Sequence, residues 1–357
     1  MSSPQHLHSE AEPGPNTGRV TQAQIAEKLE LAPMTVSRAL RGDPKVKTST
    51  RERIERCAAE LGYRPDPLLS SLTRYRRRTP DRIHYNQIAF LTNFEDEDGW
   101  RDSSDLVLLY EGAQAAAVEL GYELVPTWLR QPKQGKQGKK RLADILWARG
   151  VQGLLLAHQT PHMARGHLRF DWDRFSVVSL GPSPAKPELC AVDYDSAHAV
   201  RLACHELRHR GYRRIGFAHY VYTNAQHDNT PLSAFLGEQW SHAHTGKVKP
   251  FLWRKEGLPE MLAWVEREQP DVLLTNRCGP GSHPQEISRL WAKDASPLPC
   301  FFYALYESDP VELPGVFHPL RRLGAEGMRA LHGYLQRGVR GLPSHPHTLT
   351  FRGSWRE

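Results

Sequence analysis

The sequence lacks the paired cysteine spacing of a disulfide or zinc scaffold. Its five cysteines, at positions 57, 190, 204, 278 and 300, form no C-x-x-C pair. An odd, scattered set argues for reduced thiols in a cytosol. Long apolar runs are missing too, since none approaches the roughly 20 residues that a helix needs to span a bilayer. Met1 to His8 are polar and hold no hydrophobic h-region, so a secretory signal is not expected and a cytoplasmic protein is. There is no P-loop and no G-x-G-x-x-G between a strand and a helix, so no nucleotide enzyme and no cofactor are expected.

What is present is enough chain, 357 residues, for two or three domains and a small module. The net charge of +7 is unevenly spread. Arg19 to Arg82 hold 15 basic and 8 acidic residues, which accounts for the whole excess. That is the footprint of a protein that neutralises phosphates. Residues 1–18, rich in Ser, Pro, His and Glu, read as a disordered arm.

Three short helical patterns follow the arm. Thr21 and Gln24 form a T-x-x-Q capping box, Ser49 and Glu52 an S-x-x-E box, and Pro33 suits a first helical turn. Ile25, Ala26 and Leu29, then Val36, Ala39 and Leu40, then Ile54, Ala58 and Leu61 recur at helical spacing. Each pattern is too short to stand alone, so the three must share one core. The tight connection between the first two fits a helix-turn-helix.

Val20-Thr21, Ile25-Ala26, Thr35-Val36-Ser37-Arg38-Ala39-Leu40, Thr50-Arg51-Glu52-Arg53-Ile54 and Leu61-Gly62-Tyr63-Arg64-Pro65 occur in that order. Together they resemble the DNA-binding headpiece of the lactose-repressor (LacI) family. The resemblance implies a helix-turn-helix domain over residues 19–63, with the second helix in the major groove. On that basis Pro33, Met34 and Arg38 are the base-facing residues, and Thr21, Thr35, Ser37 and Tyr63 complete the DNA-binding set. Arg38 can grip guanine O6 and N7, whereas Pro33 and Met34 can pack on a thymine methyl. Hydroxyls such as those of Thr35 and Ser37 suit phosphates. Residues 64–82 match the family's hinge helix and a basic linker, where Leu72 falls at the position that wedges into the minor groove.

From about residue 83 the pattern alternates strands with helices, which implies parallel sheets of βαβ units. Expected strands include Gln87–Thr92, Val151–Ala157, Phe175–Leu180, Arg214–Ala218, Asp271–Thr275, Cys300–Ala304 and Thr348–Arg352. Expected helices include Tyr110–Leu120, Leu142–Arg149, Ser196–His209, Pro259–Glu268 and Gly324–Arg337. This body resembles the family's periplasmic-binding-protein-like effector domain of two doubly wound α/β subdomains. The expected subdomains are about 83–192 with 317–344, and about 193–316 with 345–357, with crossings near Val192, Val316 and His345. Ligands of such sheets bind at the carboxyl ends of strands. The cleft candidates are therefore Asn93, Trp100, His158, Gly181, His219, Asn276, Arg277 and Tyr303.

Family members that bind sugars carry carboxylates and an Arg where this chain has Gly181, Thr230 to Gly237 without Arg, and Tyr303 to Tyr306. That points away from a simple sugar and leaves open a different small-molecule effector or none. The resemblance implies a homodimer reading a pseudo-palindromic operator in double-stranded DNA, with Tyr110–Leu120 as the dimer face. A solute-binding protein, or a zinc enzyme using His205-Glu206-x-x-His209, is the rival reading. The charged flank of Arg208, Arg210, Arg213 and Arg214 and the want of a third ligand argue against zinc. The basic run Lys133 to Arg141 reads as a solvated loop.

Overall fold

The computed structural model describes residues 21–40, 46–61, 63, 87–129, 135–157, 168–184, 186–242, 246–253, 258–276 and 298–357. The chain separates into two units, Met1–Pro80 and Asp81–Glu357. The arm, Leu72 with the rest of 64–82, His158 and Arg277 lie outside the described residues.

In the first unit α1 spans Gln22–Lys28, α2 Pro33–Ala39 and α3 Thr48–Glu60. The Thr21–Gln24 capping box forms: Thr21 N–H donates to Gln24 Oε1 at 2.8 Å, and Gln24 N–H to Thr21 Oγ1 at 3.3 Å. Pro33 takes the first position of α2, where its missing N–H costs nothing. The expected Ser49–Glu52 box does not form. Lys47 occupies the cap and Ser49 already lies inside α3, so its backbone is helical rather than extended. Ile25, Val36, Ala39 and Ile54 are fully buried in one small core with Ala26, Cys57 and Ala58. Arg53 Nη2 donates to the Leu29 carbonyl at 2.9 Å and so ties α3 to the end of α1.

In the second unit the chain runs β1 (Gln87–Thr92), α4 (Ser104–Glu119), β2 (Glu123–Trp128), α5 (Gly135–Ala148), β3 (Gly153–Leu156), β4 (Ser176–Leu180) and β5 (Ala191–Tyr194). It continues with α6 (Ser196–His209), β6 (Ile215–Tyr220), α7 (Val221–Gln226), α8 (Thr230–Ser241), β7 (Phe251–Trp253), α9 (Leu258–Glu268), β8 (Val272–Thr275), β9 (Cys300–Leu305) and β10 (Gly315–Phe317). It ends with α10 (Leu320–Arg337), β11 (Thr348–Phe351) and β12 (Ser354–Arg356). One sheet has the order β11-β5-β4-β3-β1-β2, the other β12-β10-β9-β8-β6-β7. All pairs in the first are parallel; in the second only β10–β12 is antiparallel. Both halves therefore share one doubly wound order, with the switch beside the first strand of each.

The chain crosses from the first sheet after β5, returns after β10, and crosses again at Arg352–Gly353 rather than near His345. Thr348–Phe351 pairs in parallel with Ala191–Tyr194, and that ladder holds it in the first sheet. Residues 135–141 are also helical rather than a loop, because Lys, Gln and Arg favour a helix enough to extend α5 back to Gly135. In the first half, α4 and α10 approach at backbone distance. A Cβ on Gly112 would stand 1.9 Å from the Arg321 carbonyl oxygen, and one on Gly324 2.0 Å from that of Leu109. Only glycine permits that approach.

Candidate nucleic-acid interface and ligand cleft

The second helix of the headpiece is two-faced. Val36 and Ala39 are buried in the core, while Pro33, Met34 and Arg38 are exposed, Met34 by 51%. Thr35 and Ser37 are half-buried on the flanks and Thr21 is exposed at the start of α1. Helical spacing thus separates the residues that hold α2 from those expected to face DNA. Tyr63 is half-buried, and its hydroxyl accepts a hydrogen bond from Gln22 Nε2 at 2.9 Å, which anchors the end of the three-helix unit to its beginning.

In the second unit a cleft opens at the carboxyl ends of the strands, with about 690 Å³ of space when its mouth is included. Of the expected residues, Gly181, Asn276 and Tyr303 line it. His219 stands directly behind, with its Nδ1 2.6 Å from the Tyr303 hydroxyl. Trp100 is placed elsewhere. It is 1% exposed and packs on Phe90 and Tyr110 with ring centroids 5.5 and 5.1 Å away, so its bulk belongs to the core of the first half. Asn93 is buried at the end of β1 and is not among the cleft-lining residues.

Asp193, His227 and His318 are among the cleft residues that sequence reasoning missed. Asp193 ends β5 in the first half, and its Oδ2 lies 3.5 Å from Nδ1 of His227, which follows α7 in the second half. The two are far apart in sequence, so no spacing signals the pair. His318 follows β10; its Nε2 lies 3.2 Å from the Tyr303 carbonyl oxygen and its ring centroid 4.3 Å from that of Tyr194. Burial pushes His219 down to about 3, against a smaller upward pull from the neighbouring Asn276 side chain. Burial likewise pushes His318 down to about 4, opposed by its bond to the Tyr303 carbonyl. Both imidazoles are therefore neutral at physiological pH and act as hydrogen-bonding spacers. Thr223 Oγ1 and His318 Nδ1 are buried and find no partner among the described residues.

His205 and His209 are exposed on α6, with His205 Nδ1 3.7 Å from Glu206 Oε1. Among the described residues no group of three or more His, Cys, Asp or Glu side chains is arranged to hold a metal ion. No described helix is long and apolar enough to cross a membrane.

The headpiece geometry has a counterpart in known proteins. A family profile described as bacterial regulatory proteins, lacI family, matches residues 23–66. Residues 23–66 are thus similar to the DNA-binding part of that family. The chain is 30% identical to HTH-type transcriptional regulator PtxS of Pseudomonas aeruginosa over 202 residues, 56% of this chain and 54% of that one, so this alignment spans about half of PtxS. It is 21% identical to catabolite control protein A of Staphylococcus aureus over 94% of this chain and 99% of that one. The fold is similar to that of the lac repressor dimer bound to operator and the anti-inducer ONPF, with a TM-score of 0.52, 16% identity and 95% and 98% of the two chains covered.

Proposed function

We propose that this chain is a DNA-binding transcriptional regulator of the lacI family, that it represses transcription as a cytoplasmic homodimer whose two headpieces read an inverted repeat, and that a small molecule in the cleft controls it. The observation that carries the reading is the two-faced α2, whose Met34 and Arg38 stand exposed over a closed core. Two-fold symmetry in the protein implies a pseudo-palindrome in the DNA. Thr21, Pro33, Thr35, Ser37 and Tyr63 position the headpiece, and Leu72 takes the minor-groove wedge. The exposed face of α4, where Val118 is 70% exposed, is the proposed dimer contact.

The cleft lies between halves joined by three crossings, and Asp193 and His227 meet across it. A ligand that favours one degree of closure shifts the populations of the two arrangements. Coupling of that kind changes DNA affinity by about 1–3 kcal/mol. Selection of bound sequences from random duplex DNA by the full-length protein tests the reading. A recovered palindrome supports it, whereas salt-sensitive binding to all sequences with no motif removes it.

A further inference from the structure

We propose that Cys190 is a modification site, a nucleophilic thiol that forms a mixed disulfide with the oxidised form of a small acidic thiol. It stands in a second cavity, where α10 passes over β4, β5 and β11, with about 720 Å³ of space when the open side is included. That cavity shares no lining residue with the cleft. Cys190 is 6% exposed and is reached through the cavity it lines.

Three side chains meet there from three elements. Cys190 precedes β5, Tyr334 lies in the last turn of α10 and His347 precedes β11. His347 Nδ1 is 3.4 Å from Cys190 Sγ, and its Nε2 is 3.1 Å from the Tyr334 hydroxyl. Burial, and after it a hydrogen bond with the Cys190 thiol, push the Tyr334 phenol above its usual range, so it stays protonated. The phenol closes a triangle: its O–H can donate to the sulfur while its oxygen accepts from Nε2–H. That tautomer leaves Nδ1 able to take the thiol proton. The His345 carbonyl oxygen, 3.4 Å from the same nitrogen, steadies the imidazolium that results. Imidazole as base and a hydroxyl donor to sulfur are the parts that make a thiol a nucleophile. Cys204 and Cys300 differ, because burial pushes both thiols up to about 12, and they serve as controls within the same chain.

The step is a thiol–disulfide exchange. The Cys190 proton moves to His347 Nδ1, and the sulfur attacks one sulfur of the disulfide R–S–S–R. The old S–S bond breaks, and the leaving R–S⁻ keeps the electron pair and takes the proton from His347. Cys190–SH and R–S–S–R thus become Cys190–S–S–R and R–SH, with the disulfide as oxidant. The acidic class follows from Arg329 and Arg337, which line the same cavity. Arg329 shares its charge between Glu119 at 3.3 Å and Glu326 at 3.1 Å, whereas Arg337 is exposed with its Cζ 5.3 Å over the Tyr334 ring. Arg337 is the guanidinium placed to meet a carboxylate on the incoming disulfide. The Ala191 N–H donates to the His347 carbonyl at 3.0 Å, so the modification falls at the start of the β5–β11 ladder, whose far ends lead into two of the three crossings.

Peptide mapping by mass spectrometry tests this on the full-length protein treated with oxidised glutathione or with neutral hydroxyethyl disulfide. The Cys190 peptide should gain a glutathionyl group at least about tenfold faster than the Cys204 and Cys300 peptides. His347→Gln and Arg337→Gln both change exposed side chains, so the fold should survive. His347→Gln should slow the reaction at about pH 7 and match wild type near about pH 10, where an ordinary thiol ionises without help. Arg337→Gln should slow oxidised glutathione and leave hydroxyethyl disulfide unchanged. A Cys190 that reacts no faster than Cys204 overturns the site. Equal slowing by His347→Gln at every pH, or none, removes the imidazole from the step. Equal rates for Arg337→Gln and wild type with oxidised glutathione, or equal slowing with both reagents, overturn the acidic class.

Discussion

In the headpiece Pro33, Met34 and Arg38 of α2 are exposed over a closed apolar core; in the cleft Thr223 Oγ1 and His318 Nδ1 are buried and find no partner among the described residues. The first arrangement is complete without a ligand. It suits a polymer recognised from outside, through charge and base edges, with binding that weakens as salt rises. The second is incomplete, and desolvated groups of that kind discriminate sharply because a wrong ligand leaves them unsatisfied. On the proposed reading, the same chain holds one site governed by exposed charge and one governed by buried hydrogen-bond pairing.

Acid should separate the two most strongly. Residues 21–63 contain no histidine, whereas His219 and His318 are buried and neutral in the body with values near 3 and 4 against an ordinary 6.5. Below pH 6.5 the unfolded chain takes up protons that the native body refuses. Stability is therefore fully present above pH 6.5 and is lost as pH falls towards 4 and then 3. Each histidine should cost the body about 2 kcal/mol by pH 5. Thermal melts from pH 7 to 5 should show the body transition falling, and His318→Asn should make that fall shallower. An unchanged slope in the variant would remove His318 from the account.

The next largest effect should come from Gly324→Ala. The new Cβ would meet the Leu109 carbonyl 2.0 Å away, so α4 and α10 must part. Overpacking of this kind costs about 3 kcal/mol, which lowers a melting temperature by roughly 5–10 °C in a body of this size. Leu109, Leu320 and Leu323 ride on those two helices and line the cleft, so ligand binding should weaken together with stability. The headpiece core, built from α1 to α3, should keep its amide-exchange protection. A body that melts as wild type would mean the helices separate without cost.

Arg38→Ala acts on the other site. A bidentate contact to guanine discriminates by about 1–3 kcal/mol, so specific DNA binding should fall by that amount while binding to random duplex falls less. Titrations against the selected operator and a scrambled duplex measure the difference, and equal losses on both would make Arg38 a phosphate contact only.

The headpiece was legible in the sequence because its signals are local. A capping box, a proline at a helix start and apolar spacing within about fifty residues locate α1 to α3 and divide α2 into two faces. The alternation of strand and helix was legible for a similar reason: the strand Gln87–Thr92 and the helix Ser196–His209 form over the expected residues. What could not be read locally depends on pairing across the chain. The β11–β5 ladder moved the last crossing, and the core claimed Trp100, because a residue on the loop after a strand is a cleft candidate until Phe90 and Tyr110 surround it. Asp193, His227 and His318 converge only once two sheets and their crossings are in place.

The smallest effect should follow from Thr21→Ala. The threonine hydroxyl accepts from the Gln24 N–H, and the Gln24 side chain returns the bond to the Thr21 N–H, so the substitution breaks half of a reciprocal pair. Loss of such a cap costs about 1 kcal/mol, enough to fray α1 without unfolding the three-helix core. The contrast with Thr223 is then direct. At Thr21 the polar partner lies three residues away and the exposed helix end can turn to water when it is lost, so the change should appear as faster amide exchange at the start of α1 and a slightly weaker headpiece. Full loss of the headpiece fold in this variant would mean that its closed core depends on the cap, and that the headpiece is as contingent on a few polar contacts as the cleft.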